Sequence, residues 1–125
     1  MVTSKKAGTT KVTAVSGDQK VSATIVVAQY DAAKVAEGSK RYNNPDNAAE
    51  AQRDACVGCH GLANGADHSP LQMAYFADDE ILSAITTGAY PDGYELRGVN
   101  HAWNVTDAEK AGIVPYLRSL APRGF

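Results

Sequence analysis

From Thr9 to Tyr30, in TTKVTAVSGDQKVSATIVVAQY, apolar and polar residues roughly alternate, and Thr, Val and Ile dominate. A period of two in β-branched residues marks strands, and Ser16-Gly17-Asp18 interrupts the run as a tight turn would. The pattern predicts a β-hairpin. From Asp31 the composition turns to Ala, Glu, Lys and Arg, which favour helix. Asp31 is placed to cap a helix through Lys34, Val35, Gly38 and Tyr42, the last three on one face. Asn44-Pro45 breaks it, and Asp46 or Asn47 starts a short helix leading toward Cys56. Residues 61–70 read as a loop by their Gly, Asn, Asp and Pro, and Leu71 to Phe76 return to apolar and aromatic side chains. Asp78 or Asp79 caps a helix holding Ile81, Leu82 and Ile85, with Gly88 at its end. A long loop follows from Ala89 to Asn100. Thr106-Asp107-Ala108-Glu109 is a capping box, opening a helix to about Leu120 that buries Ile113, Val114, Leu117 and Leu120. Pro115 lies inside that helix and predicts a kink between Ala111 and Pro115.

Length and charge narrow the class. At 125 residues and 44% hydrophobic, the chain is one ordinary domain or a small domain with an appendage. The change of pattern at Asp31 divides it into residues 1–30, the hairpin, and residues 31–125. The net charge of −2 has neither sign gathered into a run, so nothing points to nucleic acid or an anionic membrane surface. No apolar stretch approaches a transmembrane length, and no signal-like apolar region follows Lys5-Lys6.

The chemistry centres on Cys56-Val57-Gly58-Cys59-His60. Two cysteines three apart with a histidine directly after the second form the attachment pattern of a c-type haem. One helical turn brings both thiols to one side, where each adds to a haem vinyl group, and the next residue offers an imidazole to the iron. A structural zinc normally takes four Cys or His ligands, yet there is no third cysteine, and His68 and His101 do not form a finger pair. A thioredoxin-like dithiol belongs beside a βαβ pattern, which is not visible.

CVGCHG, with HAWNVTDAEKAGIVPYLRSL much later, resembles a small monohaem cytochrome c of class I. The resemblance implies a mainly α protein, a small cytochrome c fold of three to five helices around one covalent haem c, here carrying an N-terminal β-hairpin. The Gly38 and Tyr42 spacing resembles the family's first helix, where the glycine permits close crossing by the last helix and Tyr116 meets the aromatic. The chain departs from the family between Tyr42 and Cys56, where Asn43 to Arg53 intervene. The hairpin is similar to the last two strands of a bacterial immunoglobulin-like repeat. By the same resemblance, Pro70 offers its carbonyl to the Nδ1–H of His60, a bond that orients the ring.

The second axial ligand is open among Met73, His68, His101, Met1 or none. The family usually supplies a methionine just before the last helix; this chain has none there, and His101 stands in its place. His60 and His101 are therefore read as the metal ligands. Met73 lies only thirteen residues after His60, in a segment the family folds on the proximal side, and His68 reads as a solvent-facing loop histidine. Trp103 and Arg97 are the candidate partners of the haem propionates, since both donate hydrogen bonds.

The implied function is electron transfer by a single iron-bearing haem c, with two histidine ligands and a low potential, because an imidazole replaces the thioether that raises it. No paired carboxylates, Ser-His-Asp array or phosphate loop appears, so the chain is not read as an enzyme by itself. The partners expected are redox proteins or neighbouring haem domains. Haem attachment in the family takes place outside the cytoplasm, which implies a C-terminal module of a larger exported protein, periplasmic or extracellular. Two other readings stand beside it: a haem-based gas or ligand sensor, and a multihaem assembly unit in which copies associate through the N-terminal strands.

Overall fold

A computed structural model describes residues 8–27, 29–61, 67–96 and 100–120. The chain divides into two compact units, Met1–Tyr30 and Asp31–Phe125. The first holds β1 (Gly8–Ser16) and β2 (Gln19–Val27), antiparallel, with Ser16 opposite Gln19 across a two-residue turn. Gly17 turns the chain at a φ of 57°, a left-handed conformation that favours glycine. The register pairs Thr10 with Ile25, Val12 with Ala23 and Ala14 with Val21, so one face is largely apolar and the other carries the lysines and most of the hydroxyls. Val12, Val15, Val21, Ile25 and Val26 are all exposed.

The second unit holds α1 (Ala32–Asn43), α2 (Val57–His60), α3 (Pro70–Met73), α4 (Asp78–Thr87) and α5 (Asp107–Ser119). Among the described residues, 41% are helix and 19% strand, which makes this a small mixed α/β protein. The expected mainly α, small cytochrome c fold is therefore corrected. The reason is local: two nine-residue strands pair along their whole length, while α2 and α3 are single turns of four residues. The helix expected from Asp46 or Asn47 is likewise absent; that stretch is a series of turns, with Asn47 and Gln52 at φ of 55° and 60°.

Helix ends follow the side chains available. Asp31 caps α1, accepting from the backbone of Ala33 at 2.9 Å and Lys34 at 3.1 Å. Thr106 and Glu109 form the reciprocal capping box of α5, with Glu109 N donating to Thr106 Oγ1 at 3.2 Å and Thr106 N to Glu109 Oε2 at 2.7 Å. For α4 the cap residue is Ala77, one position earlier than expected, because Glu80 reaches back to accept from Ala77 N at 2.7 Å. Gly88 closes that helix at a φ of 74°. Helix α5 is continuous through Pro115.

Packing centres on the crossing of α1 and α5, where two glycine backbones meet. A Cβ on Gly38 would strike the Gly112 carbonyl and stand 2.7 Å from Tyr116 Cβ; one on Gly112 would strike Lys34 O and stand 2.7 Å from Gly38 N. Around this contact lies the core, formed by Tyr42, Met73, Ile81, Ile113, Val114 and Leu117. Two arginines tie loops to it. Arg53, only 5% exposed, donates through Nε to Asp46 O and through Nη1 to Asn104 O, and its Nη2 pairs with Glu109 Oε1 at 2.7 Å. Arg118 donates to the carbonyls of Met73 and Phe76 and pairs with Asp78 at 2.9 Å. Burial works against ionising Glu109, but hydrogen bonds from Arg53 and Thr106 and the Arg53 charge outweigh it and hold the carboxyl below the usual carboxylate range.

Two outcomes follow. Gly112→Ala drives a methyl group into backbone that cannot yield, so it should cost about 3 kcal/mol or more, read as a lowered urea midpoint. Glu109→Gln leaves the Arg53 charge buried without its partner and should cost about 3 kcal/mol at pH 7. A carboxylate whose folded pKa is depressed stabilises above its unfolded value of about 4.3 and loses that contribution as pH falls through the folded value. The gap between wild type and Glu109→Gln should therefore close on acidification below pH ~4, in urea titrations of both proteins.

Candidate functional site

The single turn α2 follows from the chain leaving Ala55 already helical, with Cys56 at φ −58° and ψ −36°. Cys59 N and His60 N both reach Cys56 O, at 3.2 and 3.0 Å, and Gly61 N reaches Val57 O at 2.8 Å. Cys56 and Cys59 therefore lie three apart on one side of a turn, as free thiols, Cys56 half-buried and Cys59 exposed. Burial pushes the Cys56 thiol up, an effect that the nearby Arg41 charge opposes without cancelling. A catalytic dithiol needs the reverse, a thiol lowered toward neutrality.

Both thiols and His60 border a cavity of 970 Å³ whose lining is mainly apolar. Tyr42 of α1, Met73 of α3, Ile81 and Ile85 of α4 and Ile113 and Leu117 of α5 form its walls, and His101 and Trp103 line it from the segment before α5. That segment is held through its backbone amides. Trp103 N donates to Ile85 O at 2.9 Å, Ala102 N to Asn100 Oδ1 at 3.0 Å and Asn104 N to Gln52 O at 2.9 Å. Gly88 lets it pass close by: a Cβ there would stand 3.4 Å from Ala102 N.

The imidazoles converge. His60 and His101 have ring centroids 6.3 Å apart at 53°, and His101 meets Trp103 edge-on at 6.3 Å. His68, read from sequence as solvent-facing, is instead half-buried, stacked on His60 at 3.7 Å, with its Nδ1 at 3.3 Å from the Tyr42 hydroxyl. The loop composition around His68 gave no sign of this; its position depends on Tyr42, which lies in another element. Met73 is 9% exposed and belongs to the core cluster. Pro70 opens α3, and its carbonyl accepts from Ala74 N at 3.0 Å. Arg97 lies outside the described residues.

The donor set can be tested against a haem. Two imidazoles on opposite sides of one metal ion, each about 2 Å from it, put their ring centroids on the order of 6 Å apart. His60 and His101 stand at that separation, and His60 and His68 do not. Among the described residues no group of three or more His, Cys, Asp or Glu side chains could hold a bare metal ion. A porphyrin brings four nitrogens of its own and asks the protein only for axial ligands, which suits this set. The cavity volume is in the range of pockets that enclose a whole cofactor, roughly 300–1,000 Å³. Among the described residues no helix is long and apolar enough to cross a membrane. No protein-family model, no curated protein and no solved structure matches the chain.

Proposed function

We propose that the unit Asp31–Phe125 binds one haem c, covalently through Cys56 and Cys59 and axially through His60 and His101, and carries single electrons. The observation that supports this most is the pair of imidazoles 6.3 Å apart, beside two free thiols on the wall of one apolar cavity. When bound, the haem supplies a one-electron iron couple. The chain's residues do the rest. The backbone of α2 sets the two sulfurs and His60 on one turn, and the bond from Trp103 N to Ile85 O fixes the approach of His101. The apolar side chains of Ile81, Ile85, Ile113 and Leu117 from α4 and α5 would keep water from the bound group. Two imidazoles in place of an imidazole and a thioether favour a low potential. His60 and His101 together would hold the iron from the protein and leave no open position on it for a substrate. Redox proteins, or neighbouring haem domains of a larger exported protein, are the partners this reading calls for.

Spectroscopy of the haem-loaded protein tests the axial pair. Wild type should be low-spin in the ferric state and inert to carbon monoxide when reduced, with a midpoint below those of His/Met proteins. His101→Ala should turn high-spin and bind carbon monoxide at once, whereas Met73→Leu should leave the spectrum unchanged. Prompt carbon monoxide binding by the reduced wild type would instead mark a gas-binding module. An unchanged His101→Ala spectrum would remove His101 from the iron.

A further inference from the structure

Arg41 lies in the last turns of α1 and is only 1% exposed. Its Nη1 donates to Asp54 O at 2.9 Å and stands 3.9 Å from Cys56 Sγ, while the guanidinium carbon sits 5.8 Å from the centre of the Trp103 ring. Nε and Nη2 are buried with no hydrogen-bond partner among the described residues. The ion pairs among those residues engage Lys40, Arg53, Lys110 and Arg118, and not Arg41.

The contrast with Arg53 is informative. Arg53 is nearly as buried, yet a carboxylate and two carbonyls satisfy it, as a structural arginine requires. Arg41 keeps its charge, since a guanidinium is not deprotonated in a protein, and has one carbonyl, a sulfur and an aromatic face. A buried charge without a counter-ion is destabilising and replaceable by an apolar side chain. Its position is therefore the informative part: it touches Cys56 and Trp103, which both line the cavity.

We propose that Arg41 tunes the redox centre, raising its reduction potential by placing an uncompensated positive charge at the edge where the cofactor is bonded to Cys56. This rests on the haem reading above. Reduction adds one electron to the site, drawn from the electrode or a donor protein, and a fixed cation in a dry surrounding favours the state with that added negative charge. The effect opposes the lowering by two imidazoles and sets the working potential between the two. For charges on the order of 10 Å apart at an effective dielectric of ~20, it amounts to a tenfold change or more in the ratio of reduced to oxidised protein.

Potentiometric titration of the haem-loaded full chain tests this in wild type, Arg41→Lys, Arg41→Met and Arg41→Gln. The two neutral variants should fall by at least about 59 mV, the equivalent of tenfold for one electron, with the axial-ligand spectrum unchanged, while Arg41→Lys stays near wild type. An unmoved or raised potential in the neutral variants, with haem attached, overturns this inference alone. Wild type without covalent haem overturns the haem reading and this inference together. If Arg41→Lys takes up haem and both neutral variants fail to, the charge serves folding and tuning is rejected.

Discussion

The second unit is organised by one steric constraint, the contact of the α1 and α5 backbones through Gly38 and Gly112. Neither residue offers a side chain, so the two helices approach until carbonyl and amide nearly touch. That closeness sets where everything else on the helices can point. Tyr42 leaves α1 and Ile113 and Leu117 leave α5 into the same cavity, while Arg41 is pressed beneath Trp103. A wider crossing would open the core and shift the walls of the cavity.

From the crossing, order passes to the loops through polar contacts. Glu109 serves the start of α5 twice, closing the capping box with Thr106 and holding Arg53. Arg53 in turn grips Asp46 O and Asn104 O, so the irregular stretch leading to Cys56 and the segment carrying His101 and Trp103 are both referred to one helix end. Two loop segments from distant parts of the sequence are thereby joined, Asn104 N donating to Gln52 O at 2.9 Å, and both border the cavity.

Much of this was legible locally. The period of two before Asp31, the Asp31 cap, the Thr106-to-Glu109 box and the Gly88 stop rest on neighbouring residues, and each appears in the structure. Gly38 announced the crossing, although its counterpart Gly112 went unread because a glycine inside a helix looks merely unfavourable. The overall fold class did not follow, because the resemblance rested on a short motif and the last helix and underweighted the paired strands. Turns at Asn47 and Gln52 replace the expected helix, and Arg53, within that stretch, is held by Asn104 O and Glu109, far along the chain. His68 and Arg41 were hidden for the same kind of reason. His68 reads as a solvent-facing loop histidine and Arg41 is not singled out in its helix, and it is partners elsewhere in the chain that surround them.

The turn carrying Cys56, Cys59 and His60 borders one apolar cavity together with His101, whose ring lies 6.3 Å from that of His60, and Arg41 is buried beside Cys56. The proposed function rests on covalent haem at Cys56 and Cys59. Expression in a host that matures c-type haem, followed by acid–acetone extraction and intact mass, tests it most directly. Wild type should be heavier by one haem and keep its colour after extraction, and the chain with both cysteines replaced by alanine should be colourless and of unchanged mass. A wild-type chain of unmodified mass, or one that surrenders all its haem to the solvent, would contradict it.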